Sequence, residues 1–183
     1  MAPTLTVVSG PPGAGKTTLA RELARVLGCP AILRDEVKQG MVLSTAGYQS
    51  KTDDPLNRTA LRAFFEVTTT LLRAGVTTVI EAAYQDRLWR PHLEPLLGLA
   101  QLRIIRCTVP AGTARDRIVQ RAHHDEHRAA HADHELLAAI DSGTWSPDAF
   151  VPISLNLPTL VVDTSDGYAP NMQDIVSFVR SPG

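Results

Sequence analysis

Long apolar runs, cysteine and lysine are all scarce in this chain of 183 residues. No apolar stretch approaches the ~18 residues that a membrane helix needs, which excludes a bilayer-spanning segment of that kind. Met1 to Thr6 show no basic segment followed by an apolar core and a small-residue cleavage site, so a cytoplasmic location is expected. Two cysteines, Cys29 and Cys107, are too few for a disulfide framework, and both are expected reduced and buried as small hydrophobes. Excess charge is missing too. The formal net charge of -1 lacks the broad positive field of a protein that binds long nucleic acid, while a short oligonucleotide or a local basic groove stays open. Only Lys16, Lys38 and Lys51 are lysines, so fifteen of the 18 basic residues are arginines, the side chain suited to bidentate phosphate contacts.

What is present reads as a globular protein, 44% hydrophobic and 20% charged, of a length that one hydrophobic core serves; a single domain over 1–183 is expected. There is no internal repeat and no linker long enough to divide it. Leu5 to Val8 is a short apolar run before Ser9-Gly10, and Leu19, Ala20, Leu23, Ala24 and Leu27 then recur at helical spacing. Ala31 to Leu33 predicts a second strand, with Arg34-Asp35-Glu36 opening a helix to about Leu43. Residues 44–56 lack periodicity and predict a loop. From Leu61 an apolar stripe predicts a long helix closed by Gly75. Val76 to Ile80 predicts a third strand ending at Glu81. The segment 86–99 predicts a helix interrupted by Pro91 and Pro95. Leu102 to Val109 predicts a fourth strand, and Pro110 opens a helix carrying Arg115, Arg117 and Arg121. A short helix around Leu136 to Ile140, a fifth strand at Thr159 to Val162 and a closing helix over Met172 to Val179 complete the pattern. Strands alternating with helices of this length predict parallel βαβ units and a three-layer α/β sandwich.

Between the first strand and its helix lies Gly10-Pro11-Pro12-Gly13-Ala14-Gly15-Lys16-Thr17. Glycines at these spacings let successive backbone N–H groups turn inward around a phosphate, and the helix N-terminus adds positive charge. Lys16 reaches the β- and γ-phosphates, and the Thr17 hydroxyl is placed for Mg²⁺. The expected nucleotide-binding set is Gly10, Gly13, Ala14, Gly15, Lys16, Thr17 and Thr18.

Ligands of open α/β sheets bind beyond the carboxyl ends of the strands, which points to Asp35, Glu36 and Glu81. Asp35 is the candidate base for an acceptor hydroxyl; its alternative role is to cap the helix that follows. Glu81 stands where a carboxylate would hold Mg²⁺, and it could instead orient the acceptor or bind Arg34. Arg117 and Arg121 share one helix face, with Arg128 beyond them, and would stack on adenine and clamp the transferring phosphate; the alternative is a solvated face paired with Asp116, Asp125 and Glu126. His123, His124, His127, His131 and His134 permit a zinc site geometrically, although a polar lid over about 121–135 fits the same residues. Trp89 and Trp145 are expected to pack, with stacking on an acceptor as the alternative.

These residues together resemble the small P-loop kinases that include the polynucleotide 5′-hydroxyl kinase domain, chloramphenicol phosphotransferase and the zeta-toxin kinases. The resemblance rests on Gly10 to Thr17, Arg34-Asp35-Glu36-Val37-Lys38, Val79-Ile80-Glu81-Ala82, Arg117 with Arg121, and Val162 to Gly167. It implies a five-stranded parallel sheet ordered 2-3-1-4-5 with a helical lid. It also implies Asp35 as general base, Lys38 on the acceptor side, Arg117 and Arg121 as lid arginines, and Asp163 and Thr164 at the edge of the adenine pocket. Lysine at 38 departs from the arginine of the 5′-hydroxyl kinases, and Glu81 from the commoner aspartate. The expected reaction passes the γ-phosphate of Mg²⁺·ATP to a hydroxyl of a small metabolite or antibiotic held by Arg34, Asp35, Lys38, Tyr84, Arg87 and Arg90, in a pocket built with the 44–58 loop and the Tyr84 to Arg90 segment. A polynucleotide 5′-end, which a basic groove through Arg34, Lys38, Arg58, Arg87 and Arg90 would support, is the alternative acceptor, and a nucleotide-dependent switch with slow hydrolysis the alternative class.

Overall fold

A computed structural model describes residues 2–48, 54–124, 133–144 and 146–181. Its strands β1 (Thr4–Ser9), β2 (Ala31–Leu33), β3 (Thr78–Glu81), β4 (Gln101–Thr108) and β5 (Thr159–Asp163) form one parallel sheet in the order β2-β3-β1-β4-β5. Around it run α1 (Lys16–Leu27), α2 (Arg34–Leu43), α3 (Leu56–Arg73), α4 (Asp86–Leu93), α5 (Ala111–His124), α6 (Asp133–Asp141) and α7 (Met172–Arg180). The expected three-layer arrangement and strand order are both present.

Alternation along the strands distributes the core to the two faces of the sheet. Val7, Ile80 and Ile104 join Phe64, Phe65 and Trp89 on one side, while their neighbours Val8, Val79 and Ile105 join Leu19, Leu23 and Ile175 on the other. This is the period-two rule applied to strands covered on both faces, which is why their sequences read as continuous apolar runs. Trp89 is fully buried among Phe64, Phe65 and Tyr84, so it packs as expected; Trp145 lies outside the described residues. Cys107 is buried and its thiol is pushed up to about 12 by that burial, whereas Cys29 is only half-buried, contrary to expectation.

The largest departure is the start of α3, five residues ahead of the apolar stripe that begins at Leu61. Leu56 N–H donates to Asp54 Oδ1 at 2.9 Å and Asn57 N–H to the Asp54 carbonyl at 3.0 Å, so a polar turn opens the helix where hydrophobic periodicity is silent. Gly75 closes it at φ +78°, its N–H bonded to the Leu72 carbonyl at 2.9 Å. Pro91 lies within α4, which yields to a 3₁₀ turn at Glu94–Leu96. Among the described residues no helix is long and apolar enough to cross a membrane.

Candidate nucleotide and acceptor site

Register aligns the carboxyl ends of β2, β3 and β1: Glu81 lies beside both Val8 and Leu33. The residues that follow these ends therefore converge on one rim. The loop from β1 to α1 requires glycine at two positions. A Cβ on Gly10 would stand 2.5 Å from the Cys107 carbonyl oxygen, and one on Gly13, at φ +79°, 2.5 Å from that of Ala114. Gly15 occupies the N-cap position of α1 at φ 66° and supplies no side chain to the helix N-terminus. The first-turn N–H groups therefore have no side-chain cap, and an anion is their natural partner.

Lys16 is buried at the head of this helix, its ammonium donating to the Pro11 carbonyl at 2.9 Å and lying 3.9 Å from Glu81 Oε1. The Thr17 hydroxyl donates to Glu81 Oε2 at 3.1 Å. Glu81 is buried, so the lysine and the hydroxyl compensate a carboxylate that would otherwise be costly to desolvate. A hydroxyl and a carboxylate one hydrogen bond apart, beside a helix N-terminus with no side-chain cap, are hard oxygen donors of the kind Mg²⁺ takes, and the residues fit that ion.

Gly13, Gly15, Lys16, Thr17 and Thr18 line a cleft of about 440 Å³ together with Asp35, Glu81, Arg117 and Arg121. Arg117 reaches across from α5, donating to the Thr164 carbonyl at 2.6 Å and to the Gly13 carbonyl at 3.4 Å. The Thr164 hydroxyl donates in turn to the Ala14 carbonyl at 3.2 Å. One guanidinium thus ties α5, the phosphate loop and the segment after β5 together. Asp163 accepts the Ser165 N–H at 2.7 Å, and hydrogen bonding from Ser165 lowers its carboxyl pKa. The side chains of the five histidines between 123 and 134 lie outside the described residues, as do Arg128, Asp125, Glu126 and much of the expected lid. Among the described residues no three metal-ligating side chains cluster.

Asp35 is not the cap of α2. That helix begins at Arg34 with Leu33 at the N-cap position and no side-chain capping bond, which leaves the Asp35 carboxylate in the first turn, 41% exposed and facing the rim. It lines the phosphate cleft and also a second cavity of about 370 Å³, formed with Arg34, Asn57, Arg58, Leu61, Ala83, Tyr84 and Leu88. Arg34 organises this junction. Its Nη1 donates to Asp35 Oδ1 at 3.0 Å, its Nε to the Tyr84 hydroxyl at 3.0 Å and its Nη2 to Asn57 Oδ1 at 2.7 Å. Burial pushes the Tyr84 phenol pKa up, with the Arg34 cation opposing.

Of the residues expected on the acceptor side, Arg34, Asp35 and Tyr84 meet in this cavity. Lys38, Arg87 and Arg90 do not line it. Lys38 is buried with its ammonium 2.8 Å from Asp54 Oδ2, Arg90 pairs with Asp86 at 3.0 Å, and Arg87 is exposed on α4. Burial works to raise the Asp54 carboxyl, yet hydrogen bonds from Lys38, Tyr48 and the Leu56 N–H outweigh it and bring the pKa down to about 2. Asn57, Arg58 and Leu88 fall within the segments 44–58 and 84–90 expected to build the acceptor pocket, whereas Leu61 and Ala83 were not named for it. Asn57 and Arg58 belong to the polar opening of α3, where periodicity carries no signal.

The fold is shared with solved structures. A Chloroflexus aurantiacus protein provisionally described as a kinase is 27% identical, with a TM-score of 0.77 over 98% of each chain. A sugar kinase from a Janibacter species is 20% identical, with a TM-score of 0.66 over 97% of this chain and 94% of that one. The APS kinase of Mycobacterium tuberculosis, solved with AMPPNP and APS, is 14% identical, with a TM-score of 0.66 over 98% of this chain and 99% of its own. No curated protein sequence matches. The sequence profile of the AAA domain family does match, over residues 5–142. That span runs from the first strand through the phosphate loop and the arginine helix, and the chain belongs to that family.

Proposed function

We propose that the protein is an ATP-dependent phosphotransferase whose acceptor is a hydroxyl of a small molecule. The observation that carries this reading is the position of Asp35, one carboxylate lining both the phosphate cleft and the second cavity. A simple hydrolase needs no second cavity at that point. A kinase needs an acceptor oxygen and a base beside the γ-phosphate.

ATP enters with its phosphates on the loop amides, the N-terminus of α1 and Lys16. An acceptor hydroxyl in the second cavity gives its proton to Asp35 as its oxygen forms a bond to the γ-phosphorus. The bond from that phosphorus to the β,γ-bridging oxygen breaks, and ADP leaves. Arg117 and Arg121 offset the charge that spreads over the transferring group. Mg²⁺, with Thr17 and Glu81 as its residues, supplies positive charge at the β- and γ-phosphates when bound. A polynucleotide 5′-end is a poorer fit, because Lys38 and Arg90, two cations of the required basic groove, are engaged with Asp54 and Asp86.

The test is transfer of labelled γ-phosphate to a panel of aminoglycosides, chloramphenicol, nucleosides, sugars and 5′-hydroxyl oligonucleotides, run beside Asp35→Ala. Transfer is expected to fall roughly 10²–10⁴-fold in the variant while ATP affinity changes little. Phosphate release that is indifferent both to the panel and to the substitution would instead identify a nucleotide-dependent switch.

A further inference from the structure

The cavity beyond Asp35 has walls of two kinds. Leu61, Ala83, Leu88 and the ring of Tyr84 present carbon, while polar groups come from Arg34, Asp35, Asn57 and Arg58. Much of that polar capacity is already used inside the protein: Arg34 spends three N–H directions on Tyr84, Asp35 and Asn57. A sugar buried here would bring several hydroxyls against carbon. Each hydroxyl left without a partner lowers affinity by roughly tenfold or more.

Charge gives a second constraint. The lining cations Arg34 and Arg58 stand against the single carboxylate Asp35, an excess of one positive charge. Arg34 is held against Asp35, whereas Arg58 is exposed at the start of α3 and has no ion pair or hydrogen bond among the described residues. Among the described residues its guanidinium is the cation of this cavity that a ligand can engage without displacing an internal bond, beside the neutral donors of Asn57 and Tyr84. A bidentate anion is the partner that such a fork takes best.

Resting on the kinase reading above, we infer that the acceptor is a compact alcohol with an apolar, ring-sized body, its hydroxyl at Asp35 and an anionic group at Arg58. The volume of about 370 Å³ suits a ring with two short substituents and lies near the small end for ligand sites. A carboxylate or a phosphate would satisfy Arg58 equally, with the hydroxyl on a separate substituent that reaches Asp35. The acceptor contributes its O–H proton to Asp35 and its oxygen to the new phosphate ester. The anionic group takes no part in the chemistry and sets selectivity.

The experiment compares kcat/KM for matched alcohols: benzyl alcohol with 4-(hydroxymethyl)benzoate and with its phosphonate analogue, cyclohexylmethanol with its 4-carboxylate, and glucose and ribose beside them. The wild type is expected to favour the anionic member of each pair, and the anionic alcohols over both sugars, by roughly tenfold or more. Arg58→Gln should reduce the anionic-to-neutral ratio by roughly tenfold or more, and Arg58→Lys by less, since lysine keeps the charge and loses the fork. The carboxylate and phosphonate arms decide which anion is preferred. Preference for a sugar or for the neutral alcohols, or a ratio that Arg58→Gln leaves unmoved, overturns the inference and leaves the kinase standing. Absence of labelled product from every alcohol, with phosphate release unaffected by Asp35→Ala, overturns the kinase reading itself.

Discussion

Arg34 illustrates how much one residue can organise. Its guanidinium lies 5.6 Å from the Tyr84 ring centroid and donates to three side chains, one of them the proposed base, at 3.0 Å. It acts on the reaction through Asp35, as a positioning residue. Arg34→Lys keeps a cation but cannot reproduce the planar fork, so kcat is expected to fall roughly tenfold or more with KM for ATP little changed. Arg34→Met also removes the charge beside the carboxylate, so kcat is expected to fall at least as far as in Arg34→Lys. Equal kcat in all three proteins would show that Arg34 does not position Asp35.

At the scale of elements, the joint between α2 and α3 governs the shape of the acceptor cavity. Lys38 near the middle of α2 and Asp54 just before α3 form a buried ion pair at 2.8 Å, and Asp54 also anchors the first N–H of α3. Removing one partner leaves the other charge buried alone, so Lys38→Met is expected to lower the unfolding free energy by about 3–5 kcal/mol, read from urea denaturation. The pH dependence follows from the depressed Asp54 carboxyl. Its native pKa of about 2 lies below the ordinary 3.8, so the unfolded chain binds the proton first. The contribution is complete above about pH 4 and is lost as pH falls through about 2. Wild type and Lys38→Met should therefore converge in stability on acidification, with the gap widest near neutrality.

For the whole molecule, the phosphate cleft draws on α1, α2, β3 and α5, elements separated by up to a hundred residues. A ligand held by all of them binds the folded state alone and stabilises it by mass action. Mg²⁺·ATP at about 100 times its Kd should add about 2.7 kcal/mol, which corresponds to a rise in Tm of roughly 5–10 °C for a protein of this size. Thermal unfolding with and without nucleotide measures the shift, and Lys16→Ala should abolish most of it. An equal shift in that variant would place the nucleotide elsewhere.

Local chemistry was readable in advance wherever neighbours in sequence are also partners in space. The phosphate loop, the helix after it and the strand runs are of that kind, because strand and helix periodicity and glycine geometry are properties of short segments. The same holds for Asp35 and Glu81, since residues just past a parallel strand must face the carboxyl rim. The sequence pattern determined the α/β architecture and the candidate nucleotide side of the site. On the acceptor side the sequence pointed to Arg34, Asp35 and Tyr84, and tertiary structure decided which other polar groups join them. Lys38 looked like an acceptor contact until folding brought Asp54 against it, and Asn57 and Arg58 sat in a segment with no apolar period to announce a helix. Those assignments depend on which of several polar groups finds which partner across gaps of sixteen to fifty residues, between Lys38 and Asp54 or Arg34 and Tyr84. Such pairings are set by the packing of α2, α3 and β3 against one another, and no local period encodes them.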